Sequence, residues 1–144
     1  MKTSSLSDIG DLFGRLLLAS LFVSEAVSKL AAYGLATRYM AAFGVPAFLL
    51  PAAIVVELLG GLMIALGWQT RIAAAALAVF CLAAAAIFHT KFADHNQLIH
   101  FQKDLALAGA FLIVAARGAG PLSVGGWREG GCDQPRRARS SSGP

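Results

Sequence analysis

Ionisable residues inside apolar stretches are the side chains of this sequence that could do chemistry. Glu57 lies at the middle of the apolar stretch 47–66. A charge at the centre of a bilayer costs at least about 2.5 kcal/mol, so such a residue faces other helices or water. Gly60 and Gly61 follow one turn later on nearly the same face, where another helix can approach closely. The pattern predicts a buried carboxyl group beside a helix contact.

The first apolar stretch carries five charged residues that share one face of a helix. They span an arc of about 100° on a helical wheel, and they are Asp8, Asp11, Arg15, Glu25 and Lys29. Glu25 and Lys29 stand four residues apart with the acid first, the better order for a helical ion pair. If this charged face of the first helix points into the bundle, it brings a basic group, predicted to be Lys29, close to Glu57. Alternatively, these charges only neutralise one another and hold the bundle in register.

A second polar set belongs to the helix ends. In an antiparallel bundle, the end of the first helix, the end of the third and the start of the fourth meet on one side. This predicts a cluster at one mouth of the bundle, formed by Glu25, Lys29, His89, His100, Lys103 and Asp104. His100 and Asp104 are four residues apart and could pair, which would make the histidine a proton carrier. The alternative for either histidine is an ordinary hydrogen bond at the membrane interface.

Other chemistry has no support in the sequence. Haem b needs two facing axial histidines, and of three histidines one, His95, falls in a loop. Cys81 and Cys132 form neither a metal-ligand spacing nor a disulfide framework. Zinc spacings, phosphate loops and nucleophile elbows are absent from the sequence. We therefore expect no metal site, no nucleic-acid partner and no self-contained soluble enzyme.

The composition places these residues in a lipid bilayer. Of the 144 residues, 57% are hydrophobic and 14% charged, whereas an ordinary soluble domain has about 25% charged residues. Residues 72–88 are an unbroken apolar run without the polar face of a soluble helix. A cleaved secretory signal is not expected, because charges flank and interrupt the first apolar stretch.

Four segments approach the roughly 20 residues that cross a bilayer as a helix. They fall at about 9–30, 47–66, 70–89 and 98–117. They predict an all-α fold, an antiparallel up-down bundle of four transmembrane helices over residues 1–117. Only residues 67–69 separate the second and third helices, which must form a tight hairpin. The other two connections are longer and more polar.

Residues 118–144 hold too little apolar material to fold and are predicted to be a disordered basic tail. Basic residues near the helix ends divide eight to four between the two sides and account for all 12 lysines and arginines. The richer side carries both termini, so both are predicted to be cytoplasmic. Four of the eight are tail arginines, and the orientation depends on them.

Several short motifs recur in a fixed order between about Arg15 and Val124. They are Arg15 and Lys29, Tyr39-Met40, Gly44-Val45-Pro46, Glu57 with Gly60-Gly61, Gly67 with Thr70-Arg71, Phe88-His89, and Phe101-Gln102-Lys103. In this order they resemble the DoxX family of small bacterial four-helix membrane proteins, especially its YphA-like inner-membrane members. Two positions depart from the family pattern: Asp104 replaces a usual asparagine, and Glu25 opens a turn that usually contains glycine. Both add a carboxylate near a lysine.

The resemblance implies a function in membrane redox chemistry, because relatives include the membrane subunit of a thiosulfate:quinone oxidoreductase. It implies a component of a quinone-linked redox system in the bacterial inner (plasma) membrane. Since the sequence encodes no redox centre, the chain would be a subunit that needs a membrane redox partner. Glu57 and Lys29 would line a quinone pocket, and His89, His100, Lys103 and Asp104 would form its route to water.

Two other functions stay open from the sequence. The first is a non-catalytic membrane scaffold or assembly factor, in which buried charges fix helix register. The second is a small solute or proton pathway, which would call for a homo-oligomer because four short helices enclose little lumen.

Overall fold

The computed structural model describes residues 6–126, which are largely helical and contain no strand. The helices are α1 (Leu6–Ala31), α2 (Tyr33–Ala42), α3 (Leu50–Leu66), α4 (Thr70–Phe88) and α5 (His95–Arg117), and a 3-10 turn (Ala47–Leu49) leads into α3. The predicted all-α class is confirmed.

Three elements are each long and apolar enough to cross a membrane: α3 with its preceding 3-10 turn, α4, and α5. The fourth candidate is α1 joined to α2, broken by a bend of 98°. The predicted four spans correspond to these elements. Their largest boundary differences are at two N-termini, residue 6 against 9 in α1 and 95 against 98 in α5.

Helix α2 lies in the connection between the first two predicted spans, where the sequence predicted no helix. Its ten residues are too few to show a helical period, and they include Gly34 and Thr37, which have low helix propensity. Its position comes from tertiary packing. Met40 is buried in a small hydrophobic cluster with Ala26, Leu50 and Ile54, so α2 is held against the ends of α1 and α3.

The turn between α3 and α4 is as tight as predicted. Gly67 ends α3 with φ 70° and Gln69 precedes α4 with φ 47°, both in the left-handed region. The Trp68 amide donates to the Met63 carbonyl, which closes the end of α3. This turn brings α3 and α4 side by side.

Two adjacent glycines let α3 contact two helices at once. A Cβ on Gly60 would lie 3.0 Å from the Leu77 side chain of α4. One on Gly61 would lie 3.1 Å from Val23 Cγ2 of α1 and 3.3 Å from the Ala19 carbonyl oxygen. The close helix approach expected at these glycines is therefore present, with a different neighbour at each.

A layer of large apolar side chains crosses the interior of the bundle. Phe22 and Phe111 meet edge to face with ring centroids 5.2 Å apart. They belong to one core cluster with Ile64 and Leu77, and all four side chains are buried. We call these four residues the apolar layer; one polar region lies on each side of it.

The segment after α5 packs against the bundle as far as the structure describes it. Ser123 is buried, and the Gly125 amide donates to the Gly67 carbonyl at 3.1 Å. The predicted disordered tail began at Gly118, and these contacts place residues 118–126 with the helices instead. Residues 127–144, with Cys132 and the tail arginines that decide the predicted orientation, lie outside the described residues.

Candidate functional site: a polar cavity at one end of the bundle

Lys29 and Glu57 form an ion pair between α1 and α3. Lys29 Nζ donates to both Glu57 carboxylate oxygens, Oε1 and Oε2, at 2.8 Å each. Glu57 is only 3% exposed, whereas the Lys29 side chain is 28% exposed. The structure thus contains the contact that the sequence predicted for a carboxylate at membrane depth.

Glu25 is a weaker partner of the same lysine. Its Oε2 lies 3.4 Å from Lys29 Nζ, one turn earlier on α1, and its side chain is half exposed. Because both Glu57 oxygens are closer to the lysine, the buried carboxylate holds Nζ and Glu25 adds negative charge at the edge.

His89 forms a second interhelical pair, between α4 and α5. Its Nδ1 lies 2.9 Å from Gln97 Oε1, and its Nε2 lies 3.6 Å from Asp104 Oδ2. Asp104 is 9% exposed. Within residues 6–126 it is thus, after Glu57, the second buried carboxylate that faces a basic side chain. Helix α5 brings both partners to His89, and its first turn is capped by Asp94, which accepts from the Asn96 amide.

The sequence allowed His100 to pair with Asp104, but the histidine in ion-pair contact with this carboxylate is His89. Asp104 turns from α5 toward His89 of α4, while the His100 ring stacks on the His89 ring with centroids 5.1 Å apart. Residues four apart on a helix are neighbours, so His100 was within reach of Asp104. The ion-pair contact at 3.6 Å is instead made across the interface between α4 and α5, with His89. Gln97, the other partner of His89, was not predicted; its position two turns before Asp104 on α5 was the available signal.

All seven predicted polar residues line one cavity of about 780 Å³: Glu25, Lys29, Glu57, His89, His100, Lys103 and Asp104. The remaining wall is mostly apolar and comes from α1 to α5 and the segment before α3. Two buried carboxylates, each facing a partly exposed basic group, therefore lie in a cavity with a polar side and a mostly apolar remaining wall. Such a mixture can orient a ligand through its few polar atoms while it encloses the rest.

Helix α2 forms part of the cavity wall through Ala36, Tyr39 and Met40. An aromatic cluster anchors it: the Tyr39 ring stacks on Phe88 at 5.7 Å, and Phe43 meets both rings. The bend between α1 and α2 therefore places α2 in the cavity wall, which the sequence did not predict.

Arg15 organises the opposite end of the bundle. It is 2% exposed; Nη1 donates to the Ile64 carbonyl at 3.1 Å and Nη2 to the Leu122 carbonyl at 2.6 Å. These two bonds join α1 to the end of α3 and to the segment after α5. The sequence placed Arg15 on the inward stripe but gave no partner, because backbone carbonyls carry no residue-specific signal.

Within residues 6–126, His, Cys, Asp and Glu side chains form no group of three that could hold a metal ion. Cys81 is a buried free thiol in the cavity wall. The cavity could hold an organic ligand, with the two interhelical pairs as its polar contacts.

Comparison with known proteins agrees with this architecture. The DoxX family model matches residues 10–90. The chain is 40% identical over 119 residues to the inner membrane protein YqjF of Escherichia coli (strain K12), covering 83% of this chain and 92% of that protein. It is 32% identical over 120 residues to the inner membrane protein YphA of the same organism, covering 78% and 86%. No solved structure matches the chain.

Proposed function

The chain belongs to the DoxX family, and from that premise we propose that it is the membrane component of a quinone-linked redox system. In this proposal the cavity binds the quinone ring beside the Lys29–Glu57 pair. The relatives are inner-membrane proteins, and the same membrane, which contains quinones, is the proposed location of this chain.

The observation that carries the proposal is the pairing of a partly exposed lysine with a buried carboxylate inside an apolar cavity. A quinone is a flat apolar ring with two carbonyl oxygens that accept hydrogen bonds. Lys29 Nζ has three hydrogens. Both Glu57 oxygens accept from it at 2.8 Å, and the half-exposed Glu25 lies farther away at 3.4 Å, where a quinone carbonyl could take its place. A cavity of about 780 Å³ also falls within the usual range of about 300–1,000 Å³ for ligand pockets.

The polar groups support binding and proton exchange, and electrons must come from elsewhere. None of the cavity-lining residues is a redox centre, so a partner protein or a soluble substrate would reduce or oxidise the bound quinone. The chain would then be an oxidoreductase subunit. If both termini are cytoplasmic, the C-terminal end of α1 and the cavity lie on the non-cytoplasmic side of the membrane. The partner would then approach from the non-cytoplasmic side.

The apolar layer favours a pocket over a solute or proton pathway. Phe22 lines the cavity and packs with Leu77 and Phe111 in one buried core cluster. Large apolar side chains that fill the interior leave no polar route for an ion or water. The proposed site is therefore open to one side only.

Lipid extraction and mass spectrometry of the purified protein tests the proposal. We expect a quinone to co-purify with the wild type. Its amount should fall at least about tenfold in Lys29→Met and Glu57→Gln, the loss expected when a charged hydrogen-bond donor or its anchor is removed. Asp11→Asn, a substitution outside the cavity, should retain the quinone.

Absence of quinone from a folded wild-type protein would overturn the proposal. A stoichiometric membrane partner in that preparation, with its assembly unaffected by Glu57→Gln, would support a scaffold or assembly factor instead. Ligand-free protein in which Glu57→Gln abolishes proton flux into liposomes would support a pathway.

A further inference from the structure

Two groups of exposed residues line the cavity, and they differ in chemistry. The first group is polar and lies on α1 and α5. It consists of Glu25, His100 and Lys103, and we call it the polar opening. Charged side chains near the ends of spanning helices reach water at the membrane surface. This opening therefore connects the cavity to water.

The second group is apolar and lies on α3 and α4. It consists of Ala52, Val56, Ala83 and Ile87, and we call it the apolar opening. Val56 is 37% exposed and Ile87 is 44% exposed, although both line the same cavity as the buried Glu57. The cavity wall thus runs from the interior of the bundle to exposed positions on two neighbouring helices.

Helical geometry places these exposed positions at the outer edge of the contact between α3 and α4. Gly60 faces Leu77 where the two helices approach closely. At about 100° per residue, Val56 lies on α3 between Gly60 and Leu59, which is 54% exposed. Ile87 lies on α4 between Leu77 and the exposed face of that helix. The cavity therefore reaches the outer surface of the bundle between α3 and α4.

The apolar opening lies at the depth of the hydrocarbon core. Val56 is six residues from Leu50, where α3 begins, and Ala83 is five residues from Phe88, where α4 ends. At about 1.5 Å per residue, these positions are roughly 9 Å and 8 Å from the helix ends. Both lie in elements apolar enough to cross a membrane. This opening leads into lipid and adds no route for water across the bilayer.

We infer that the cavity takes a quinone with a long isoprenoid tail, and that the tail leaves the cavity through the apolar opening into the bilayer. The inference deepens the proposed function and rests on it for the quinone ring beside Lys29 and Glu57. A tail in the polar opening would expose apolar surface to water, which the hydrophobic effect opposes. The opening between α3 and α4 keeps the tail in lipid while the ring reaches the ion pair.

The size of the cavity fits this arrangement. Its volume of about 780 Å³ lies in the upper half of the usual range of about 300–1,000 Å³ for ligand pockets. Space therefore remains beside the ring for the first part of a tail. Val56 and Ala83 border the exit from this space, so the size of their side chains decides whether a chain can pass.

Binding of two probes to the full-length protein in lipid nanodiscs tests the inference. The probes are a benzoquinone without a tail and the same ring with a long isoprenoid tail. Val56→Phe and Ala83→Phe should lower the affinity for the tailed probe at least about tenfold, because the larger side chain blocks the exit. The affinity for the tailless probe should fall by at most about twofold.

Neighbouring residues of the same types provide matched controls. Val55 and Ala86 are exposed on the same two helices but do not line the cavity. Val55→Phe and Ala86→Phe should therefore bind both probes as the wild type does. Equal losses for the two probes in Val56→Phe and Ala83→Phe, or no loss for either probe, would overturn the inference. Failure of the folded wild type to bind either probe would overturn the proposed function.

A phospholipid with a photoreactive diazirine in its acyl chain tests the apolar opening without a quinone. A cavity open to the bilayer admits acyl chains, so illumination should label Glu57 in the wild type and in Ala86→Phe. Ala83→Phe should lose most of this label and keep the label on the outer face of α3. Wild-type protein labelled only on its outer faces would show that the apolar opening is closed, whether or not a quinone binds.

Discussion

Arg15 and Lys29 lie on the same helix and both turn toward α3, but at opposite ends of the bundle. Arg15 is nearly inaccessible and donates to two backbone carbonyls, which join three parts of the chain. Lys29 keeps 28% of its side chain exposed and donates to a carboxylate in a cavity wall. We call the Arg15 side the closed end and the Lys29 side the cavity end.

The difference shows that a buried basic residue is not by itself a binding site. At the closed end the chain fills the space around the guanidinium with the turn after α3 and the segment after α5. At the cavity end α2 and the starts of α3 and α5 surround a space that side chains leave open. A basic group that a ligand can reach, such as Lys29, can take part in binding, whereas one enclosed by the chain, such as Arg15, has a structural role.

The largest expected effect is on stability, and it comes from replacing two glycines, one at each end, that have almost the same backbone conformation. Gly67 has φ 70° and Gly44 has φ 73°. A Cβ on Gly67 would overlap Ser123 and lie 2.6 Å from Arg15, whereas one on Gly44 would meet nothing within 4 Å. Gly44→Ala should cost about 1–2 kcal/mol from the left-handed backbone alone, and Gly67→Ala about 2–5 kcal/mol because overpacking adds to it.

Unfolding free energies in mixed micelles measure this pair of variants. Limited proteolysis after α5 gives a second readout, since Gly67→Ala should release residues 118–126 and Gly44→Ala should not. Equal losses of stability in the two variants would show that the closed end is not tightly packed.

The next largest effect concerns the ion pair at the cavity end. Breaking a buried pair leaves an uncompensated charge, and with Lys29 partly exposed we expect a loss of about 2–4 kcal/mol for Lys29→Met or Glu57→Leu. The double variant removes both charges and should return to within about 1 kcal/mol of the wild type. Its quinone content should stay low, because the proposed hydrogen-bond donor is gone.

A double-mutant cycle of unfolding free energies checks this prediction. If the double variant loses as much stability as the two single variants together, Lys29 and Glu57 do not act as a pair. The closed end offers no equivalent rescue, since the partners of Arg15 are backbone carbonyls that no second substitution removes.

The smallest effect tests why the closed end has an arginine. A lysine there presents a compact ammonium group, which cannot span two carbonyls on separate segments as a guanidinium fork does. Arg15→Lys should lose one hydrogen bond from a charged donor, about 1.5–3 kcal/mol, with quinone content unchanged. Thermal unfolding and quinone analysis of the same preparation measure both; a loss of quinone would mean that the two ends are coupled.

Residues 6–126 illustrate which contacts a sequence can predict. Glu57 needs a basic partner wherever the bundle places it, and helical spacing put Lys29 on the inward face of α1. Asp104 needs one as well, but two histidines were within reach, and only the packing of α4 on α5 selects His89 over His100. The energetic requirement was predictable, and the choice between equivalent partners was not.

By itself, the sequence determined the membrane environment, the helical class, the apolar segments long enough to span a bilayer and the demand for a neutralised carboxylate at Glu57. These follow from hydropathy, span length and the cost of a buried charge. Tertiary structure alone decided the position of α2, the carbonyl partners of Arg15, the packing of residues 118–126 and the cavity wall. Those features depend on which surfaces meet after the helices have formed, and neither a cavity nor a backbone carbonyl has a residue pattern of its own.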